Sequence, residues 1–190
     1  LNNKRIKQIN LDHLKVKFFF LRNIFFQSIP ITIAILGYSV AATIVFTYIG
    51  LFGEYAVAGY GSATRIEQVL LLPVLGINTA IISIIAQNIG AKYFDRVEQT
   101  YYTSIKYGFF IMLIAGVIIF ISADIVPKFF SSNSDVIEHG SMYLKISAFI
   151  LPSYPIFFLS NGFFMALKKS EKAMLNNIIR NVIVPIFSFY

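Results

Sequence analysis

The sequence predicts an all-α integral membrane protein, a polytopic helical bundle, and three observations carry that prediction. Residues 23–53 run 31 positions without a charge, and uncharged runs of 24, 17 and 22 residues follow at 68–91, 107–123 and 146–167. A helix rises about 1.5 Å per residue, so about 20 apolar residues cross a hydrocarbon core of about 30 Å. None of the runs alternates polar with apolar, which excludes a barrel, and backbone groups in lipid must then be satisfied within helices. Composition agrees: 57% of residues are hydrophobic, 13% are charged, and the mean hydropathy is +0.71, against about 25% charge in ordinary soluble domains.

Taken in order, the chain opens with a basic amphipathic stretch. Lys4, Arg5, Lys7, Lys15 and Lys17 alternate with Ile6, Ile9, Leu11, Leu14 and Val16, a pattern that suits the membrane interface and is too charged for a signal-peptide core. Residues 1–22 read as a cytoplasmic linker and 23–190 as a partial six-helix bundle. Its spans are expected near 24–52, 66–91, 104–123, 143–167 and 173–190, the last incomplete. The chain starts at Leu1 and ends at Tyr190 inside an apolar run, so it is expected to be a piece of a longer protein.

Charge placement sets the expected orientation. If the N-terminal end is cytoplasmic, that end and the loops near 92–106 and 168–180 hold 13 of the 16 Lys and Arg, leaving Arg65, Lys128 and Lys145 outside. That is a strong positive-inside bias. Outer loops are then expected near 53–65 and 124–142, and the protein in the plasma (inner) membrane. The net charge of +7 marks orientation rather than nucleic-acid binding.

Within the spans, Gly37/Ala41 and Gly76/Ala80 have the four-residue spacing of close helix packing. Pro30, Pro73, Pro152, Pro155 and Pro185 break the backbone ladder, which points to kinks and a polar interior. The chain has no cysteine, hence no disulfide, thiolate site or cysteine nucleophile. No catalytic, metal-ligand or phosphate-loop pattern emerges, so an enzyme is not expected. His13 and His139 read as interfacial, and Gly59-Tyr60-Gly61 as a loop turn.

The second span is the most informative. Arg65 and Glu67 open it near the outer interface, as a local pair or as an outer gate or coupling element. Asn78 lies in its middle, and Gln87 and Asn88 near its inner end could bond carbonyls of neighbouring helices. Gln27, Ser28, Thr32, Tyr38, Ser39, Thr43, Thr47, Ser147, Ser153, Tyr154, Ser160 and Asn161 are the polar residues of other spans. None is charged. Among Phe and Met, they could line a cavity for an amphipathic or cationic solute.

The stretch from Tyr60 resembles the second span of the C-terminal half of multidrug and toxic compound extrusion transporters. The resemblance rests on Arg65-Ile66-Glu67, Pro73, Gly76, Gln87-Asn88, Gly90-Ala91-Lys92 and Arg96. Leu151-Pro152, Asn161-Gly162, Ala166 to Lys168 and Ala173 are similar to the fourth span. It implies about five spans of a twelve-span, two-bundle transporter whose N-terminal bundle lies elsewhere in the same chain. It also implies antiport of amphipathic, mostly cationic compounds against H+ or Na+, with no other cofactor. Sodium-coupled bacterial members carry an acid in the first and fourth spans of this half, and this chain has neither, so it is more similar to the DNA-damage-inducible F-like branch. Partners are then the bilayer, small amphipathic substrates and the missing bundle. The alternatives are a lipid-linked oligosaccharide flippase of related architecture, a channel, a scaffold, or a truncated protein that transports nothing. A flippase should present a basic cavity, and this reading places no Lys or Arg deep in a span.

Overall fold

Glycine 53, at φ 99°, turns the chain between the two longest helices of the protein, which we describe from a computed structural model covering residues 18–184. The amphipathic stretch through Lys17, His13 and Pro185 lie outside the described residues. Six α-helices follow in order: α1 (Phe18–Gly50), α2 (Glu54–Gly90), α3 (Phe94–Ser122), α4 (Ser134–Ile150), α5 (Tyr154–Ala166) and α6 (Ser170–Ile178). Short 3-10 turns span Val126–Phe129 and Leu151–Ser153, a π turn spans Ile179–Ile183, and no strand occurs among the described residues. Four stretches are long and apolar enough to cross a membrane: Ile24–Gly50, Glu54–Gly90, Phe94–Ser122 and Ser134–Ala166.

Helices start earlier than the uncharged runs. The segment 53–65, expected as a loop, is the first three turns of α2, and Gly59-Tyr60-Gly61 is helical rather than a turn. Likewise α3 begins at Phe94, α4 at Ser134 and α6 at Ser170. The physical reason is that a charge ends a run of apolar letters without ending a helix, whose hydrogen bonds continue through the interface.

The second helix is the axis of the fold and packs against α3, α4 and α5, while α1 lies mainly against α6 and the π turn. Val74, Ile81 and Ile85 of α2 meet Met112, Leu144, Leu151 and Leu159 in a fully buried core. The opposite faces stay apolar: Phe25, Ile114, Ile121 and Phe149 are exposed, as the lipid-facing reading of most phenylalanines expects.

Close approach rests on glycines other than those picked by spacing. A Cβ on Gly59 would stand 2.8 Å from the Val136 carbonyl oxygen of α4, and one on Gly116 of α3 2.6 Å from the Ala148 carbonyl oxygen. These positions admit only glycine. Gly76 and Ala80 are exposed and Gly76 meets nothing within 4 Å, so that pair packs no described helix, whereas Ala41 is buried.

The fourth span is broken, as its prolines suggest. Pro152 and Pro155 interrupt the backbone ladder, and the 3-10 turn Leu151–Ser153 separates α4 from α5. Both α2 and α5 end in the same way, on a lysine in the left-handed region. Lys92 (φ 61°) and Lys168 (φ 57°) occupy the position where glycine is usual. Tyr93 N–H donates to the Asn88 carbonyl at 2.9 Å and Lys169 N–H to the Phe164 carbonyl at 2.9 Å, closing the last turns.

Candidate functional site

Among the described residues Glu67 is the one buried charged side chain, at 7% exposure. It lies fourteen residues into α2, about 20 Å from the start of that helix. Tyr143 on α4 donates its hydroxyl to Oε2 at 2.6 Å, and Tyr154, the first residue of α5, donates to Oε1. One carboxylate thus joins three helices, and both its oxygens are satisfied, the condition under which a charge can be buried. The break at Pro152 is what starts α5 at Tyr154 and places its ring there. Tyr60 meets Tyr143 edge-on at 5.1 Å and Phe46 edge-on at 5.1 Å, extending the aromatic wall towards α1.

This cluster lines a cavity of about 240 Å3 with Tyr38 of α1, Thr64 and Gln68 of α2, Phe157 and Phe158 of α5, Asn177 of α6 and Arg180 of the π turn. The Arg180 guanidinium lies over Phe157 at 4.0 Å and over Tyr154 at 4.9 Å from the ring centres, a cation–π arrangement that holds it without a carboxylate. The sequence groups Arg180 with the cytoplasmic loop charges, whereas the structure puts it in the π turn after α6, at the cavity wall. It stands ten residues, about 15 Å, beyond Ser170, in the same cavity as Glu67. The bundle does place a cation at the wall of this cavity, and that weakens one argument raised against the flippase.

The sequence candidates divide. Glu67, Tyr38 and Tyr154 meet in the cavity. Arg65 is exposed, and no ion pair joins it to Glu67 among the described residues; two residues apart on a helix point to different faces. Asn161 is buried and accepts from Asn176 at 2.9 Å, tying α5 to α6. Asn78 faces Gly162, and its buried side-chain oxygen has no hydrogen-bond partner. Gln87 bonds Ser83 at 3.3 Å and Asn88 bonds the Ile84 carbonyl at 2.8 Å, so both turn back on α2 rather than binding a neighbour. Ser28, Thr32, Ser39, Thr43 and Thr47 do the same on α1, the usual resort of a hydroxyl among apolar residues. The Gln27 side chain is outside the described part. Sequence reasoning missed Arg180, Tyr143 and Tyr60 as cavity residues; the signal available was an arginine four and three residues after Asn176 and Asn177, one helical turn on.

Asp124, in the loop between α3 and α4, pairs with Lys145 of α4 at 2.8 Å, and Ser141 of the same helix donates to the same oxygen. The Lys145 bond, then the Ser141 bond, hold the Asp124 carboxyl below its ordinary range. The link pins the 3-10 loop to α4. His139 is exposed, and no group of three metal-ligating side chains occurs among the described residues.

The fold and site define a class: a bundle of membrane-length helices with a buried acid at a cavity wall. The family model described as MatE matches residues 30–190, and the chain belongs to that family, the multidrug and toxic compound extrusion family. It is 26% identical over 139 residues to the probable multidrug resistance protein YpnP of Bacillus subtilis (strain 168), covering 73% of this chain and 30% of that protein. It is 23% identical over 178 residues to the multidrug export protein MepA of Staphylococcus haemolyticus (strain JCSC1435), covering 93% of this chain and 39% of that protein. These relatives are named for export or resistance, not as enzymes. A MOP superfamily transporter from Pyrococcus furiosus shares the fold, with a TM-score of 0.78 at 24% identity over 82% of this chain and 35% of that one. The chain thus spans between three and four tenths of the length of these relatives.

Proposed function

We propose that the chain supplies most of the C-terminal bundle of a secondary multidrug antiporter. Such a carrier exports amphipathic, mostly cationic compounds against H+ or Na+ by alternating access. In this reading it lies in the plasma membrane with residues 1–22 cytoplasmic, belongs with the DNA-damage-inducible F-like branch, and works with an N-terminal bundle of the same protein. The observation that carries the reading is Glu67, buried at a cavity wall and held by one tyrosine from each of two other helices.

The chemistry follows from what a carboxyl can do. Ionised, Glu67 accepts from both tyrosines; protonated, one oxygen becomes a donor, so the bond to one tyrosine must reverse or weaken. Ion binding at Glu67 therefore changes the tie between α2 and the α4–α5 pair. Ion and cargo that compete for the same carboxylate stabilise different facings of the carrier, which is the requirement for exchange.

The test is ethidium efflux from vesicles holding the complete protein under an imposed pH or sodium gradient. Glu67→Gln is expected to lower gradient-driven efflux at least about tenfold. Unchanged efflux at equal protein level would end the claim. Arg180 favours one second reading, a flippase for a lipid-linked oligosaccharide, whose anionic head needs a cation in the cavity. A single arginine in about 240 Å3 is a small receptor for a pyrophosphate-linked sugar.

A further inference from the structure

Arg180 and Glu67 line one cavity without pairing. No ion pair or hydrogen bond to the guanidinium occurs among the described residues, and its contacts are the faces of Phe157, Tyr154 and, at 6.0 Å, Phe158. Stacking occupies the face of the guanidinium and leaves its N–H edges free to donate in the plane. Glu67 brings the opposite charge, its oxygens held in place by tyrosine hydroxyls. A simple cation entering here pairs with Glu67 and leaves Arg180 without a counter-charge, while a simple anion pairs with Arg180 and leaves Glu67 without one. A solute carrying both signs answers both groups.

Tyr38, Gln68, Leu71, Phe158 and Asn177 line this cavity and also a second one of about 570 Å3 between α1, α2, α5 and α6. That neighbour is walled by Ile35, Leu72, Leu75, Met165 and Met174, apolar side chains in which thioethers adapt to varied shapes. A charged compartment thus borders an apolar one, the two sharing a wall.

We propose that this paired cavity selects zwitterionic amphiphiles, with an anionic group such as a carboxylate on Arg180, the cationic end towards Glu67, and the apolar body in the second compartment. The inference rests on the reading of the Glu67 cavity as the cargo site, and names the cargo more narrowly. Arg180 is then a specificity-determining residue rather than a topological charge.

The test measures dye binding by fluorescence polarisation to the complete protein in lipid nanodiscs. The probes are a zwitterionic rhodamine carboxylic acid and its ethyl ester, which keeps the cationic ring system and loses the carboxylate. Wild type is expected to hold the acid more tightly than the ester. Arg180→Gln should weaken the acid about tenfold, the scale of a charge-assisted hydrogen bond, and leave the ester within about twofold; Arg180→Lys should recover part of the loss. Equal affinity of wild type for acid and ester overturns the proposal without any variant. Equal weakening of both dyes by Arg180→Gln overturns it too, since that marks a purely structural residue. Glu67→Gln separates the two claims: unchanged binding of both dyes sinks the cargo-site reading, whereas the acid-to-ester ratio decides Arg180.

Discussion

Tyr143 and Tyr154 each give one hydroxyl to Glu67, and removing either leaves a buried carboxylate oxygen without its donor. Hydrogen bonds to charged groups are worth about 1.5–3 kcal/mol, so Tyr143→Phe or Tyr154→Phe should each destabilise the bundle by about that amount. Thermal melting in detergent checks it, with Tyr107→Phe, an exposed tyrosine, expected to change nothing. A second residue-scale expectation concerns Asp124, whose carboxyl is lowered by Lys145 and Ser141. A depressed carboxyl contributes stability above its unfolded pKa, and that contribution fades as pH falls through the lower folded value. The melting temperature should therefore lose a component below about pH 4, and Asp124→Asn should flatten that part of the pH profile. At this scale the sequence was half legible. Glu67 stood out as an acid opening an apolar run and Tyr154 as a polar residue within one, but the two tyrosines that hold Glu67 lie 76 and 87 residues from it in the chain, and no local pattern encodes such a separation.

Helix ends and helix contacts follow different rules. The lysines at φ 61° and 57° strain the ends of α2 and α5. A non-glycine in the left-handed region costs about 1–2 kcal/mol, against about 0.3–1 kcal/mol for a cation at a helix C-terminus. Lys92→Gly should accordingly raise the melting temperature by the equivalent of about 0.5–1 kcal/mol. Contacts between helices predict the reverse at Gly116, where a Cβ would press on the Ala148 carbonyl oxygen at 2.6 Å. Gly116→Ala should cost about 1–3 kcal/mol, while Gly76→Ala, which meets nothing within 4 Å, should be neutral or slightly stabilising. Spacing alone singled out Gly76 and passed over Gly116 and Gly59, because a four-residue repeat identifies a face and not what faces it.

Across the whole molecule, α2 through α5 form one packed body, and α1 with α6 and the π turn close the cavity from the other side. The proposed orientation places the loop before α4 outside and the turn between α5 and α6 inside. This chain has no cysteine, so in a cysteine-free background of the complete protein single thiols report cleanly. Ser132→Cys should react with a membrane-impermeant maleimide in intact cells, and Lys169→Cys only after permeabilisation; the opposite result would invert the topology. Moving Arg180 from the loop charges into the cavity leaves twelve of the remaining cations on the inner side against three outside, so the bias behind this orientation survives the correction.

The sequence by itself determined that the protein is a helical bundle of membrane-length apolar segments, that prolines break the segment holding α4 and α5, and to which family the stretch from Tyr60 points. Those properties depend on hydrophobic length and on residues close in the chain, since a lipid-embedded backbone must satisfy itself within each segment. Only the tertiary structure decided that Glu67 is tied to α4 and α5 instead of Arg65, that Gln87 and Asn88 serve their own helix, and that Arg180 belongs to the cavity. These depend on which helix faces meet and at what height, a matter of side-chain packing between segments distant in sequence.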